Sequence, residues 1–74
     1  MTKTNKIAEA LANYANVYRT LLTNSEFKVY NVDVAVEYAV ADMWNQVKRA
    51  SEEDAIFRIN DEALYIQEKM GVAA

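Results

Sequence analysis

The sequence predicts an all-α fold, a small bundle of three helices in a single domain that covers residues 1–74. Two observations lead to this prediction. The 74 residues include no proline and only one glycine, Gly71, so the residues that usually form turns and kinks are missing from most of the chain. In addition, apolar side chains recur at steps of three and four residues, which is the spacing of one helix face.

The first predicted helix covers about residues 4–23. Thr2 or Thr4 is its expected N-cap, and Asn24 with Ser25 its expected end. Its apolar stripe consists of Ile7, Leu11, Tyr14, Tyr18 and Leu21. The spacing favours Tyr14 and Tyr18 as core residues. The opposite face is formed by uncharged polar residues, which is unusual for a solvated face: Asn5, Asn13, Asn16, Thr20 and Thr23.

The second predicted helix covers about residues 33–49, with Asn31 or Asp33 as its N-cap. Its apolar stripe consists of Val36, Val40, Met43 and Val47. Three further apolar residues lie on nearly the opposite side: Val34, Tyr38 and Ala41. Two apolar faces are expected of a helix that is packed on both sides.

Residues 27–36 are ambiguous because their valines alternate as they do in a strand. One strand without a second to pair with leaves its backbone hydrogen bonds unsatisfied. We therefore interpret residues 24–31 as a connection, with a strand or an extension of the second helix as the alternatives.

The third predicted helix covers about residues 52–70. Its apolar stripe consists of Ile56, Ile59, Ala63, Ile66 and Met70. Ser51 is the expected N-cap, Gly71 the expected C′ residue, and Val72 is expected to fold back onto Ile66. Phe57 and Leu64 form a flanking apolar pair. A single long helix would turn by about 900° between Val47 and Ile56 and place the two stripes on opposite sides. A break near Ala50 and Ser51 keeps both stripes on one core.

The alternative architecture is a helical hairpin that dimerises into a bundle. Apolar residues make up 53% of the chain, which is more than one small core readily buries, so we expect a homodimer or a higher homo-oligomer.

The composition excludes the common catalytic classes. The chain has no cysteine and no histidine, so Ser25 and Ser51 lack a conventional base. Asp33 and Glu37 are one turn apart but lack the histidine of a di-iron motif, and we interpret them as solvated. Arg58 is expected to form an ordinary surface ladder with Asp54 and Glu62. We expect no enzyme activity, no cofactor and no metal site.

The net charge of −3 divides into +2 for residues 1–31 and −5 for the rest. The start of the chain shows no apolar leader segment, and charged or polar residues interrupt every apolar run, so we expect a cytoplasmic protein without membrane contact. A DNA-binding three-helix domain is the third functional hypothesis. It is disfavoured because the last helix would begin with Glu52, Glu53 and Asp54 at the phosphate backbone.

Aromatic residues suggest where a partner would bind. Tyr38 lies opposite the second stripe with Val34, and Trp44 lies to one side of that stripe. Tyrosine and tryptophan are enriched in interfaces. The sequence therefore predicts a non-enzymatic protein-binding module of the accessory or inhibitor type, as is common among small bacterial and phage proteins, with Val34, Tyr38 and Trp44 as contact residues. The alternative function is a self-assembling helical structural subunit.

Overall fold

The computed structural model describes residues 3–24 and 31–70. These residues form the three predicted helices, α1 (Lys3–Asn24), α2 (Val32–Val47) and α3 (Glu52–Lys69), and no strand occurs among them. The all-α prediction is confirmed, and the helix bounds differ from the predicted ones by at most two residues. Residues 32–36 are helical, so the alternative of a strand is wrong there, while 25–30 lie outside the described ranges.

Side-chain caps define the starts of α2 and α3. Asn31 rather than Asp33 caps α2: its backbone is extended, and its Oδ1 accepts a hydrogen bond from Val34 N at 3.2 Å. Ser51 Oγ accepts one from Asp54 N at 3.2 Å, which places the break between α2 and α3 where the sequence predicted it.

The expected cap at Thr4 is wrong, because α1 already begins at Lys3 and Thr4 lies within it. Thr2, Ser25, Gly71 and Val72, to which the sequence assigned roles at helix ends, lie outside the described residues.

The core is formed by one apolar stripe from each helix. Its buried members are Ala10, Tyr14, Val17, Met43, Val47, Ala55, Ile59, Ala63 and Ile66. Val47 and Ile59 are the largest side chains that are fully buried. Ile7, Leu11, Tyr18 and Leu21 of the first stripe are partly buried and pack against this cluster, so Tyr14 and Tyr18 both belong to the core region.

α1 is the central helix. It packs against both other helices, most extensively against α3, whereas α2 and α3 meet at few positions. The expectation that α2 is packed on both sides is therefore not met by the described residues, because α1 takes that place. α1 is also the longer helix, with 22 residues against 16 in α2.

Polar contacts between helices are few and exposed. Arg19 of α1 forms an ion pair with Asp33 of α2, and since both side chains are exposed it contributes little to stability. Arg58 does not form the predicted ladder. Its Nη2 donates to Gln46 Oε1 at 3.0 Å, which joins α3 to α2. Ladder pairs contribute only tenths of a kcal/mol, so a neighbouring amide competes successfully for the guanidinium.

Candidate protein-contact surface

The outer face of α2 exposes two of the three residues that the sequence predicted as contacts. Val34 is 42% exposed and Tyr38 is 74% exposed, although α2 buries Val36, Met43 and Val47 on its other side. Val34 and Tyr38 line a shallow depression of about 330 Å³ together with Glu37 and Ala41. We call these four residues the α2 outer face. They present apolar surface next to the Glu37 carboxylate, and the exposed Asp42 follows Tyr38 by one turn.

Trp44, the third predicted residue, lies at the margin of this face. It is 42% exposed and lines a separate depression of about 230 Å³ with Ile7, Ala8 and Leu11 of α1. The indole therefore lies at the boundary between α1 and α2. The structure brings Val34 and Tyr38 together and places Trp44 beside them rather than among them.

Sequence reasoning missed Ile7 and Leu11 as neighbours of Trp44. Both were assigned to the core because they share the stripe of Tyr14, and both are only partly buried. The signal lay in the width of that stripe. Residues at the edge of a wide apolar arc reach the helix boundary, where they remain accessible.

α3 carries a second set of exposed apolar side chains. Phe57 is 72% exposed, Leu64 is 49% exposed and Tyr65 is 53% exposed. The sequence identified Phe57 and Leu64 as a pair seven residues apart but did not assign them to a contact. The Lys69 ammonium lies 5.4 Å from the centre of the Tyr65 ring, so this ring already has a cation partner within α3.

The uncharged side of α1 forms a groove with α3 that is rich in amides. Asn13 and Asn60 line one end of the groove, and Asn16 and Gln67 line the other. The Thr20 hydroxyl also lines it but donates to Asn16 O at 3.0 Å, one turn back in the same helix. Lys6 and Glu9 also line the Asn13 end, so the groove has one charge of each sign there and neutral amides at the other end.

Tyr14 is the described residue whose ionisation is clearly altered. Burial raises the pKa of its phenol, and the negative charges of Glu62 and Asp42 and the neighbouring Tyr18 raise it further. The rings of Tyr14 and Tyr18 are 6.0 Å apart and tilted by 43°. A phenol with a raised pKa keeps its proton at neutral pH, and Tyr14 packs in the core with its ring buried.

Within residues 3–24 and 31–70, no three acidic side chains come together in an arrangement that would hold a metal ion. None of the helices in these ranges has the length and hydropathy needed to span a membrane. Comparison with protein families, with curated proteins and with solved structures finds no match to this chain. A functional proposal therefore depends on the exposed surfaces described above.

Proposed function

We propose that this protein is a small non-enzymatic protein-binding module that acts by occupying a surface of a larger partner. The contact consists of the α2 outer face and Trp44. The observation that supports it best is the 74% exposure of Tyr38 on a helix whose other side is buried in the core. A tyrosine left in water on a small domain offers a large, rigid contact area with a polar tip.

The arrangement of the neighbouring residues adds support. Val34 lies one turn before Tyr38 and Ala41 one turn after it, so the apolar surface continues along about two turns of α2. Trp44 extends the surface toward Leu11 of α1. Aromatic anchors surrounded by smaller apolar residues are typical of the centre of a protein interface.

Two other hypotheses predict different behaviour. In a self-assembling subunit the exposed apolar sets of α2 and α3 would contact different copies, as a closed ring requires. A DNA-binding domain would place the first turn of α3 near phosphates, and that turn contains three acidic residues, Glu52, Glu53 and Asp54. We therefore retain self-assembly as the alternative and rank DNA binding third.

The substitution Tyr38→Glu tests the proposal. It places a charge in the centre of the apolar surface, so we expect loss of a partner captured from the source cell, with an unchanged helical circular-dichroism spectrum. Tyr65→Glu is the matched control, because it makes the same chemical change at an exposed tyrosine of α3. Light scattering after size exclusion reports the mass of each variant.

Three outcomes would contradict the proposal. Unfolding of Tyr38→Glu would mean that Tyr38 is covered, for instance by residues 24–31, and is part of the fold. Equal capture by Tyr38→Glu and the wild type would place the contact elsewhere, first on the Asn13, Asn16 and Thr20 side of α1. A wild-type mass of a large closed ring that Tyr38→Glu and Tyr65→Glu both disrupt would instead support the self-assembling subunit.

A further inference from the structure

The outer side of α3 alternates acidic and apolar residues along one line. Asp54, Phe57, Asp61, Leu64 and Glu68 follow one another at steps of three, four, three and four residues. At about 100° per residue they fall within an arc of about 80°. All five side chains are exposed, Phe57 by 72% and Leu64 by 49%. We call these five residues the acidic ridge.

The acidic ridge contains no base. α3 has six acidic and two basic residues, a net charge of −4, so the rest of the chain carries +1. The two bases lie at the edge of the ridge, and Arg58 lines a depression together with Asp54, Phe57 and Asp61. Arg58 donates to Gln46 of α2, and Lys69 lies over the Tyr65 ring. Three of the six acidic residues of α3 therefore alternate with the exposed Phe57 and Leu64.

The spacing of the ridge is that of a helix-pairing seam. Steps of three and four repeat every seven residues, and side chains at this spacing stay in line with a second helix that crosses at a shallow angle. From Asp54 to Glu68 the ridge is roughly 21 Å long, or about four helical turns. A partner helix of similar length would contact apolar and acidic positions in turn.

We propose that the acidic ridge binds an amphipathic helix of a partner protein in which apolar residues alternate with lysine or arginine at the same three-four spacing. Apolar residues of the partner contact Phe57 and Leu64, and its bases pair with Asp54, Asp61 and Glu68. Charge complementarity selects this partner over a second copy of the chain, because symmetric pairing of two ridges would oppose carboxylates. The site is separate from the α2 outer face and does not depend on it.

The test uses three fluorescent peptides of three heptads each with the full-length protein. The first peptide has leucine and lysine in alternation at positions spaced by three and four residues. The second peptide has glutamate in place of each lysine. The third has the composition of the first in a shuffled order that breaks the spacing. We expect fluorescence anisotropy at low salt to show at least roughly tenfold tighter binding of the first peptide than of the other two. Added salt should weaken that binding.

Substitutions then locate the site. We expect Phe57→Ala and Asp61→Lys each to lower the affinity for the lysine peptide by roughly tenfold. Tyr38→Ala on α2 should leave this affinity unchanged. The triple variant Asp54→Lys, Asp61→Lys and Glu68→Lys should prefer the glutamate peptide. Circular dichroism verifies that each variant is folded. If the triple variant is unfolded, the affinities of the three peptides for the wild-type protein decide.

Several results would overturn the proposal. Equal binding of the lysine and shuffled peptides would mean attraction by charge alone, without a seam. Binding that Phe57→Ala leaves unchanged, or no binding of any peptide at about 1 mM, would exclude a docking surface on α3. If Asp61→Lys changes the mass of the protein alone, the occupant of the ridge is a second copy. The capture experiment with Tyr38→Glu tests the α2 outer face, and its outcome does not change the peptide results on the acidic ridge. Either proposal can therefore fail without the other.

Discussion

The outer faces of α2 and α3 both expose large apolar side chains. The two faces differ in the charged residues that accompany these side chains. On α2, Val34 and Tyr38 are accompanied by Ala41, with the carboxylates of Glu37 and Asp42 on either side, and Asp42 already accepts a hydrogen bond from Gln46. On α3, Phe57 and Leu64 alternate with three carboxylates, as the acidic ridge shows. The α2 outer face suits a partner that buries apolar surface, whereas the ridge suits one that also neutralises charge. Exposed apolar area alone therefore does not determine which partner a face suits. The charged residues next to that area distinguish the expected partners.

Both faces depend on the opposite sides of the same helices. Met43 and Val47 of α2 and Ile59 of α3 are at most 3% exposed, so the inner stripes hold the helices in the bundle. The side chains of the outer faces are then not required for the stability of the bundle. A substitution on an outer face should change binding, and one on an inner stripe should change stability.

The largest expected effect tests this division within α3. Ile59→Ala removes a fully buried side chain and should lower the free energy of unfolding by roughly 2–5 kcal/mol. Phe57→Ala, two residues away on the outer side, should change it by no more than about 0.5 kcal/mol. Urea denaturation of the two variants, followed by circular dichroism, gives both values. A large loss in Phe57→Ala would show that the outer side of α3 is covered in the folded protein and would remove the distinction between the two faces.

A smaller effect tests how the two outer faces are oriented. The break at Ser51 allows the stripes of α2 and α3 to face one core, and Ser51 Oγ caps α3 through Asp54 N. Ser51→Ala should therefore lower stability by about 0.5–2 kcal/mol. In a continuous helix Ser51 would be an interior residue, and alanine would be neutral or stabilising. The sign of the change in melting temperature decides, with Ser51→Asp as a control that retains a capping oxygen.

The smallest expected effect concerns Tyr14, which burial and the charges of Glu62 and Asp42 keep protonated. Because its pKa is raised in the folded state, the folded protein holds this proton more tightly than the unfolded chain. The stability linked to it is complete below the unfolded-state pKa of about 10 and is lost as the pH rises through the folded-state value. Tyr14→Phe should make the alkaline decline in stability shallower. Urea denaturation of the wild type and of Tyr14→Phe at a series of alkaline pH values measures this difference, and identical declines would contradict the prediction.

Periodicity predicted most of the fold. The stripes of α2 and α3, the cap at Ser51 and the break before it all follow from residue types at fixed spacings. Ala55 was not recognised as a core residue although it is fully buried. Alanine occurs on every face of a helix, and its burial reflects how closely the neighbouring helices approach. The partner of Arg58 was missed for a similar reason, since Gln46 lies far away in sequence and near only after folding.

The exposure of the candidate contact residues could be predicted from the sequence in part, while their role in binding stays a prediction. Helix geometry alone places Val34 and Tyr38 opposite the Val36 stripe, so their exposure follows once α2 has one buried side. The depression beside Trp44 requires Ile7 and Leu11, which belong to another helix, and no spacing within α2 reveals them.

The central position of α1 also determines how the chain folds. The most extensive contacts join α1 to α3, the two helices farthest apart in sequence, and the adjacent helices α2 and α3 contribute little to each other. The adjacent pair α1 and α2 lacks Ile59, the fully buried residue of α3, so this pair alone does not complete the core. The core closes only when the first helix meets the last, with the whole of α2 between them in the sequence. We therefore expect the chain to complete its native core during synthesis only after most of α3 has left the ribosome.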